Sequence, residues 1–198
     1  MKSALILLDL QNEMVDPAGK VGAHGLAKAS AERGVLDNAV QALAAARAAG
    51  MAIVYVRLGF RADYADCLSQ APRIAGLKAN GAAILGQWGT EFPEAIAPRD
   101  GDLIITKQCV NPFFNTGLMD WLLQNGIKRL YFGGVATNLV VEATARAADD
   151  AGFTPVVISD LCASPNAAWH AFSMDNIIPL FASVIDLKTF QSSVSQPA

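Results

Sequence analysis

The chain has 198 residues, 53% of them hydrophobic, and a formal net charge of −3. This length suits one domain, so we expect a single domain over residues 1–198. A weakly acidic chain without a run of Lys or Arg gives no electrostatic support for nucleic-acid binding. The longest apolar run, from Ala48 to Val56, is too short to span a membrane, and the first residues do not resemble a signal peptide. We therefore expect a soluble, cytoplasmic protein.

Six short apolar runs predict β-strands. In chain order they are Ala4–Leu8, Ala52–Arg57, Leu103–Lys107, Arg129–Phe132, Pro155–Ser159 and Ser183–Leu187. Nearly continuous apolar runs of this length are typical of a parallel sheet that is covered on both faces. Alternation of such strands with helices predicts right-handed crossovers and a three-layer α/β/α sandwich with a six-stranded, mostly parallel sheet.

Stretches with helical periodicity separate these runs. The apolar residues between Leu36 and Leu43 are spaced as one face of a helix, which we expect Ser30 to cap near its start and Gly50 to end. Further helices are predicted at 118–126, 143–151 and 166–178. The segment from Gly59 to Arg99 is irregular, and we expect loops and short helices there that cover the site.

Three candidate features follow strand ends, where ligands bind in doubly wound sheets. Asp9 follows the first strand, Lys107 ends the third, and Gly133-Gly134 follows the fourth and leads into a helix. Close together, Asp9 and Lys107 would hold each other charged, and the helix start would offer N–H groups to an oxyanion. Position alone leaves simpler interpretations open: Asp9 could cap a turn, Lys107 could be solvated, and Gly133-Gly134 could form only a tight turn.

Several motifs, in order, resemble the isochorismatase-like, or cysteine hydrolase, family. The motifs are Asp9-Leu10-Gln11-Asn12, Gly101-Asp102 leading to Lys107, Gly134-Val135-Ala136-Thr137-Asn138, Glu142-Ala143-Thr144-Ala145-Arg146 and Ser159-Asp160-Leu161-Cys162-Ala163-Ser164. The resemblance spans Ala4 to about Phe190 and implies a Rossmann-like fold. Stretches 86–90 and 113–116 look most like the ureidoacrylate and N-carbamoyl amidohydrolase branch.

The resemblance implies a catalytic triad of Asp, Lys and Cys that attacks an amide or ureido carbonyl. It assigns Asp9 and Lys107 to the first two positions and Val140 to the position of the nucleophile. It also implies a cis peptide at Val135–Ala136 in an oxyanion loop that includes Val140. The resemblance further implies a homo-oligomer, either a dimer or a tetramer. It also implies a small-molecule substrate and no cofactor.

Valine at position 140 has no nucleophilic atom, so covalent catalysis there is impossible. Three interpretations stay open. The chain could be a carbon–nitrogen hydrolase that is disabled or altered at its nucleophile. It could hydrolyse a vinyl ether without a thiol, with Asp9 as general acid, as some isochorismatase-type members do. It could also be a non-catalytic protein that binds a small ligand on an enzyme fold.

Another cysteine could replace the missing one. Cys109 lies two residues after Lys107, on the same side of an extended strand, and a nearby lysine would lower its pKa. An ordinary loop cysteine, packed as a small hydrophobic side chain, is the interpretation favoured over this one. The irregular spacing of the three cysteines predicts neither a disulfide framework nor a zinc site, and no metal site is expected.

Further residues are candidates for binding substrate. Arg57 ends the second predicted strand and Arg61 follows it, so both are expected to flank the pocket mouth, and an arginine fork suits a carboxylate. Trp88 and Phe113 are expected to form an apolar wall. Asn115 and Thr137 lie in the stretches that resemble the ureide branch. Surface pairing for the arginines and core packing for the aromatic side chains remain alternative interpretations.

Overall fold

A computed structural model describes residues 1–195, and one parallel sheet runs through it. The strands are β1 Ser3–Leu8, β2 Ala52–Leu58, β3 Leu103–Lys107, β4 Arg129–Gly134, β5 Thr154–Ile158 and β6 Ser183–Ile185. They are ordered β3-β2-β1-β4-β5-β6, and all five pairings are parallel. The predicted six-stranded α/β fold is confirmed, with half of the strand ends shifted by one or two residues.

Helices flank the sheet on both faces. They are α1 Asn12–Val15, α2 Leu26–Glu32, α3 Val35–Ala48, α4 Pro72–Ala79, α5 Leu118–Gln124, α6 Glu142–Asp150, α7 Ala167–Phe172 and α8 Leu187–Ser195. Short 3-10 turns lie at Gly22–His24, Trp88–Thr90, Glu94–Ile96, Ser159–Leu161 and Ile178–Leu180, and π-helical turns at Thr137–Val141 and Ser173–Ile177. Within residues 1–195, none of these helices has the length and apolar composition of a membrane span.

Alternate side chains of each central strand enter two separate cores. Leu5 and Leu7 pack on one face, in the core that contains α3 and α8 residues. Ile6 and Leu8 pack on the other face with α5 and α6 residues. All four are fully buried, which explains why β1 is continuously apolar rather than alternating.

The helix predicted between Ser30 and Gly50 is two helices. Ser30 lies inside α2, where its Oγ donates to the carbonyl of Leu26 at 2.8 Å, so its assignment as a cap was wrong. α3 begins only after Gly34, whose φ of 62° gives the chain the left-handed residue it needs to turn between the two helices.

The last predicted helix also ends early. Asn166 caps α7, and its Oδ1 accepts from the N–H groups of Ala168 and Trp169. The α-helix stops at Phe172, and the chain continues through the π-helical turn and then the 3-10 turn that contains Pro179. Proline has no N–H to donate within a helix, which fits the change of geometry.

Candidate active site

The carboxyl end of β1 places Asp9 at the centre of the sheet edge. Its N–H still donates to the carbonyl of Val56 at 2.9 Å, as in a strand. Its own φ is 55°, a left-handed conformation that aspartate tolerates better than most residues. The strand therefore ends here, and the Asp9 side chain is buried.

Lys107 reaches Asp9 from two strands away. β3 is separated from β1 by β2, so the two backbones are roughly 10 Å apart, a gap that only a long side chain bridges. The Lys107 Nζ donates to Asp9 Oδ2 at 2.7 Å and to the carbonyl of Cys109 at 3.0 Å. The side chains are 2% and 6% exposed, so the pair is shielded from water.

The two carboxylate oxygens of Asp9 are in different situations. Oδ2 is held by Lys107, whereas Oδ1 is buried and has no hydrogen-bond partner among the described residues. Burial raises the pKa of Asp9 above its ordinary value, although the charge and hydrogen bond of Lys107 oppose this. An unpartnered buried oxygen is costly unless something else satisfies it, so Oδ1 is the natural contact for a bound polar group.

The loop after β4 lies directly beside this pair. A Cβ on Gly134 would lie 1.9 Å from the carbonyl oxygen of Leu8, so only glycine fits there. The N–H of Val135 donates to that same carbonyl at 3.0 Å. The Val135–Ala136 peptide is cis, as expected. The π-helical turn follows and contains Val140, which is 2% exposed.

A cavity of about 380 Å³ brings these elements together. Its lining includes both members of the buried ion pair and three residues of the loop and turn: Asp9, Lys107, Val135, Ala136 and Val140. The volume is at the lower end of the roughly 300–1,000 Å³ of small-molecule sites. Among residues 1–195 there is no group of three potential metal-ligating side chains.

Part of the cavity lining comes from residues that the sequence analysis did not assign to the site. Residues Lys20, His24, Arg73, Asn138 and Trp169 line it. On and just beyond α4, the lining positions are 73, 74, 76, 77 and 80, of which 73, 76, 77 and 80 share one helical face. The sequence shows this helical spacing, but it does not show that this face of α4 points into the cavity.

Cys109 also lines the cavity, but its environment favours the neutral thiol. Its Sγ lies 3.1 Å from the carbonyl of Asn111 and 3.8 Å from that of Phe114, and both are acceptors. Burial raises the pKa of Cys109, against a smaller opposing effect of Lys107. A thiol that donates to carbonyls is a weak nucleophile, because the thiolate is the reactive form.

Asn138 and Thr137 are fixed by two hydrogen bonds next to the cavity. Ser164 Oγ donates to Asn138 Oδ1 at 2.8 Å, which leaves the amide N–H groups of this cavity-lining residue for other contacts. Thr137 Oγ1 lies 2.8 Å from His170 Nδ1. Burial lowers the pKa of His170 to about 4, so the neutral imidazole links α7 to the turn.

The six side chains predicted to bind substrate lie outside the cavity lining. Arg57 donates to Thr106 Oγ1 and to the carbonyl of Thr90, and Arg61 pairs with Asp63 on the surface.

The four other predicted side chains have equally specific positions. Trp88 is half exposed, Phe113 stacks on Phe153, Asn115 is in a left-handed turn, and Thr137 is fully buried. The cavity is therefore lined by a different set of polar groups, and a role for these six side chains in binding substrate stays a prediction.

The protein is of the α/β class, with a buried acid–lysine pair at the carboxyl edge of its parallel sheet, and comparison with known proteins identifies its family. A model of the isochorismatase domain matches residues 3–189, so the chain belongs to the isochorismatase family of hydrolases. It is 32% identical over 216 residues to the ureidoacrylate amidohydrolase RutB of Klebsiella pneumoniae, covering 100% of this chain and 89% of that protein.

Solved structures share the fold at lower identity. A cysteine hydrolase from Pseudomonas syringae pv. phaseolicola is 24% identical, with a TM-score of 0.85 over 98% of this chain and 92% of that one. An N-carbamoylsarcosine amidase from Thermoplasma acidophilum is 22% identical, with a TM-score of 0.73 over 94% and 97% of the two chains.

Proposed function

We propose that this chain hydrolyses a carbon–nitrogen bond of a small amide or ureide. The observation that carries the proposal is the Asp9–Lys107 pair, buried at the wall of a cavity of small-molecule size beside the Val135–Ala136 loop. The name of the Klebsiella relative, an amidohydrolase of a ureido compound, supports the bond type.

The proposal must supply a nucleophile, because Val140 cannot attack a carbonyl. Water takes this role. The Asp9 carboxylate accepts a proton from water, the resulting hydroxide bonds to the carbonyl carbon, and the carbonyl electrons move to oxygen. The oxyanion then re-forms the carbonyl as the carbon–nitrogen bond breaks, and Asp9 returns its proton to the leaving nitrogen.

Each neighbouring group has one task in this scheme. Lys107 holds Oδ2 of Asp9 and keeps Oδ1, which has no partner among the described residues, as the proton acceptor. The N–H groups of Ala136 and Val140 are assigned to the oxyanion, where fixed donors stabilise developing charge, because the Val135 N–H already donates to the carbonyl of Leu8. A base works best when its pKa lies near the working pH, and burial moves the pKa of Asp9 in that direction.

The test is ammonia release from a panel of primary amides and N-carbamoyl compounds. We expect slow turnover by the native protein and a loss of roughly 10²- to 10⁴-fold in Asp9→Asn, since general-base catalysis contributes that much. Cys109→Ser is the control and should keep the native rate, because that thiol donates to backbone carbonyls.

Restoring a thiol sharpens the test. Val140→Cys should raise turnover, and its new thiol should alkylate faster than Cys67, Cys109 or Cys162. Cys162 provides the contrast, because burial raises its pKa to about 12. If Val140→Cys folds normally and stays inert across the whole panel, the carbon–nitrogen hydrolase proposal is wrong. Loss of native turnover in Cys109→Ser would instead move the nucleophile to that residue.

Hydrolysis of a vinyl ether by Asp9 is the second candidate, and burial of that carboxyl favours it. A raised pKa increases the fraction of protonated carboxyl, which is the catalyst in this chemistry. Turnover of isochorismate should then fall as pH rises through the pKa of Asp9, and replacing all three cysteines should leave it intact. If small ligands bind but neither the amides and ureides nor isochorismate are hydrolysed, the interpretation as a non-catalytic binding protein is favoured.

A further inference from the structure

The cavity carries a positively charged group that the proposed reaction does not use. Arg73, on the first turn of α4, lines the cavity. Its guanidinium forms no salt bridge and no hydrogen bond with any residue from 1 to 195. Arg61, by contrast, pairs with Asp63 outside the cavity.

No acidic side chain of the lining neutralises Arg73. Asp9 is the acidic residue of the lining, and its charge is matched by Lys107. Glu13 is outside the lining, and its carboxylate oxygens accept from the backbone N–H groups of Lys20 and Ala83 rather than from Arg73. Within the lining, Lys107 matches Asp9, and Lys20 and Arg73 add positive charge without an acidic partner there.

Arg73 and the reactive pair share one cavity. Arg73 lines it together with Lys107 and with Cys109, two residues after Lys107. The wall around it is apolar and includes Ile74, Leu77 and Val110. A substrate that reaches both groups needs an anionic end, a short apolar body and a scissile bond at Asp9.

We propose that Arg73 is the specificity-determining residue of this site and binds a carboxylate of the substrate at the end opposite the reacting carbonyl. A guanidinium offers two parallel N–H donors that match the two oxygens of a carboxylate, whereas lysine offers a point charge. The inference rests on the proposed function for the place of the substrate, and it narrows the substrate to amides or ureides that carry a carboxylate.

The test compares two ligands that differ only at the anionic end. Calorimetry measures binding of 3-ureidopropionate, and of propylurea, in which a methyl group replaces the carboxylate. The native protein should prefer 3-ureidopropionate, and Arg73→Gln should weaken its binding about tenfold, the size of one charge-assisted contact. Propylurea binding should stay unchanged. The affinity of Arg73→Lys for 3-ureidopropionate should lie between those of the native protein and Arg73→Gln, because lysine keeps the charge but lacks the two parallel N–H donors.

A matched control removes charge from the same helix. Lys78 lies on α4 outside the cavity lining, and Lys78→Ala should leave both affinities unchanged. Added salt should weaken 3-ureidopropionate binding in the native protein more than in Arg73→Gln, since the contact is close to solvent. Equal loss in Lys78→Ala and Arg73→Gln, unaltered affinity in Arg73→Gln, or no binding of 3-ureidopropionate to the native protein would overturn the inference.

Binding and turnover separate this inference from the proposed function. Arg73-dependent binding without ammonia release supports the role of Arg73 and counts against the hydrolase proposal. The opposite result is ammonia release at equal rates from neutral and carboxylate substrates, in both the native protein and Arg73→Gln. That result supports the hydrolase proposal and overturns the role of Arg73.

Discussion

Two ion pairs of similar length lie in opposite surroundings in this protein. Lys107 and Asp9 are 2.7 Å apart at the carboxyl edge of the sheet, with side chains 2% and 6% exposed. Arg61 and Asp63 are 3.1 Å apart on the segment after β2, with side chains 66% and 58% exposed. Water can replace a lost partner only in the second pair. Burial, rather than distance, therefore decides which pair carries stability and chemistry.

Breaking the buried pair should have the largest effect. In Lys107→Met, Asp9 is left buried without its partner, and we expect the free energy of unfolding to fall by about 3–5 kcal/mol near neutral pH. Urea denaturation measures this. The loss should shrink as pH is lowered, because protonation removes the uncompensated charge of Asp9.

The double variant Asp9→Asn, Lys107→Met is the control for that experiment. It buries no charge, so most of the lost stability should return even though activity does not. A double variant as unstable as Lys107→Met would show that lost packing around the lysine, rather than the unpaired carboxylate, accounts for the effect.

His170 gives an intermediate case, since it is a partly buried group at the same edge of the sheet. Burial lowers its pKa from 6.5 to about 4, so the unfolded chain takes up a proton first as pH falls. This contribution to stability is complete above pH 6.5 and is lost as pH falls towards 4. After allowance for partial solvent screening, we expect about 1 kcal/mol.

Urea denaturation across that pH window, on the native protein and His170→Gln, checks the sign. The native protein should lose more stability on acidification than the variant, because glutamine does not titrate. Parallel curves for the two proteins would mean that His170 does not resist protonation in the fold.

The exposed pair should show the smallest effect. Arg61→Ala should change the free energy of unfolding by less than about 0.5 kcal/mol, because solvent screens this pair and holding it costs side-chain entropy. It should also leave 3-ureidopropionate binding unchanged, in contrast to Arg73→Gln. A tenfold loss of 3-ureidopropionate affinity in Arg61→Ala would show that Arg61 binds the carboxylate. Its ion pair with Asp63 would then exist only in the absence of ligand.

The sheet and its reactive edge could be predicted because local pattern was sufficient for them. A strand covered on both faces must be apolar throughout, and β1 is. Parallel strands end at a common edge, so Asp9 and Lys107, each at a strand end, were expected to meet there. The break at Gly34 was missed, because the apolar stripe from Leu36 to Leu43 lies wholly inside α3 and does not show where that helix begins.

The sequence by itself determined that the central strands are buried on both faces and which strand ends face the same edge, since both follow from the pattern of side chains along the chain. Only the tertiary structure decided which arginine lines the cavity. Arg57 lies near the end of β2 and Arg61 follows that strand, but their side chains bond to Thr106 and Asp63. Arg73 reaches the cavity because Ile74 of α4 packs into the same small core as Phe60. Local spacing sets the face of a helix, whereas long-range packing sets where that face points.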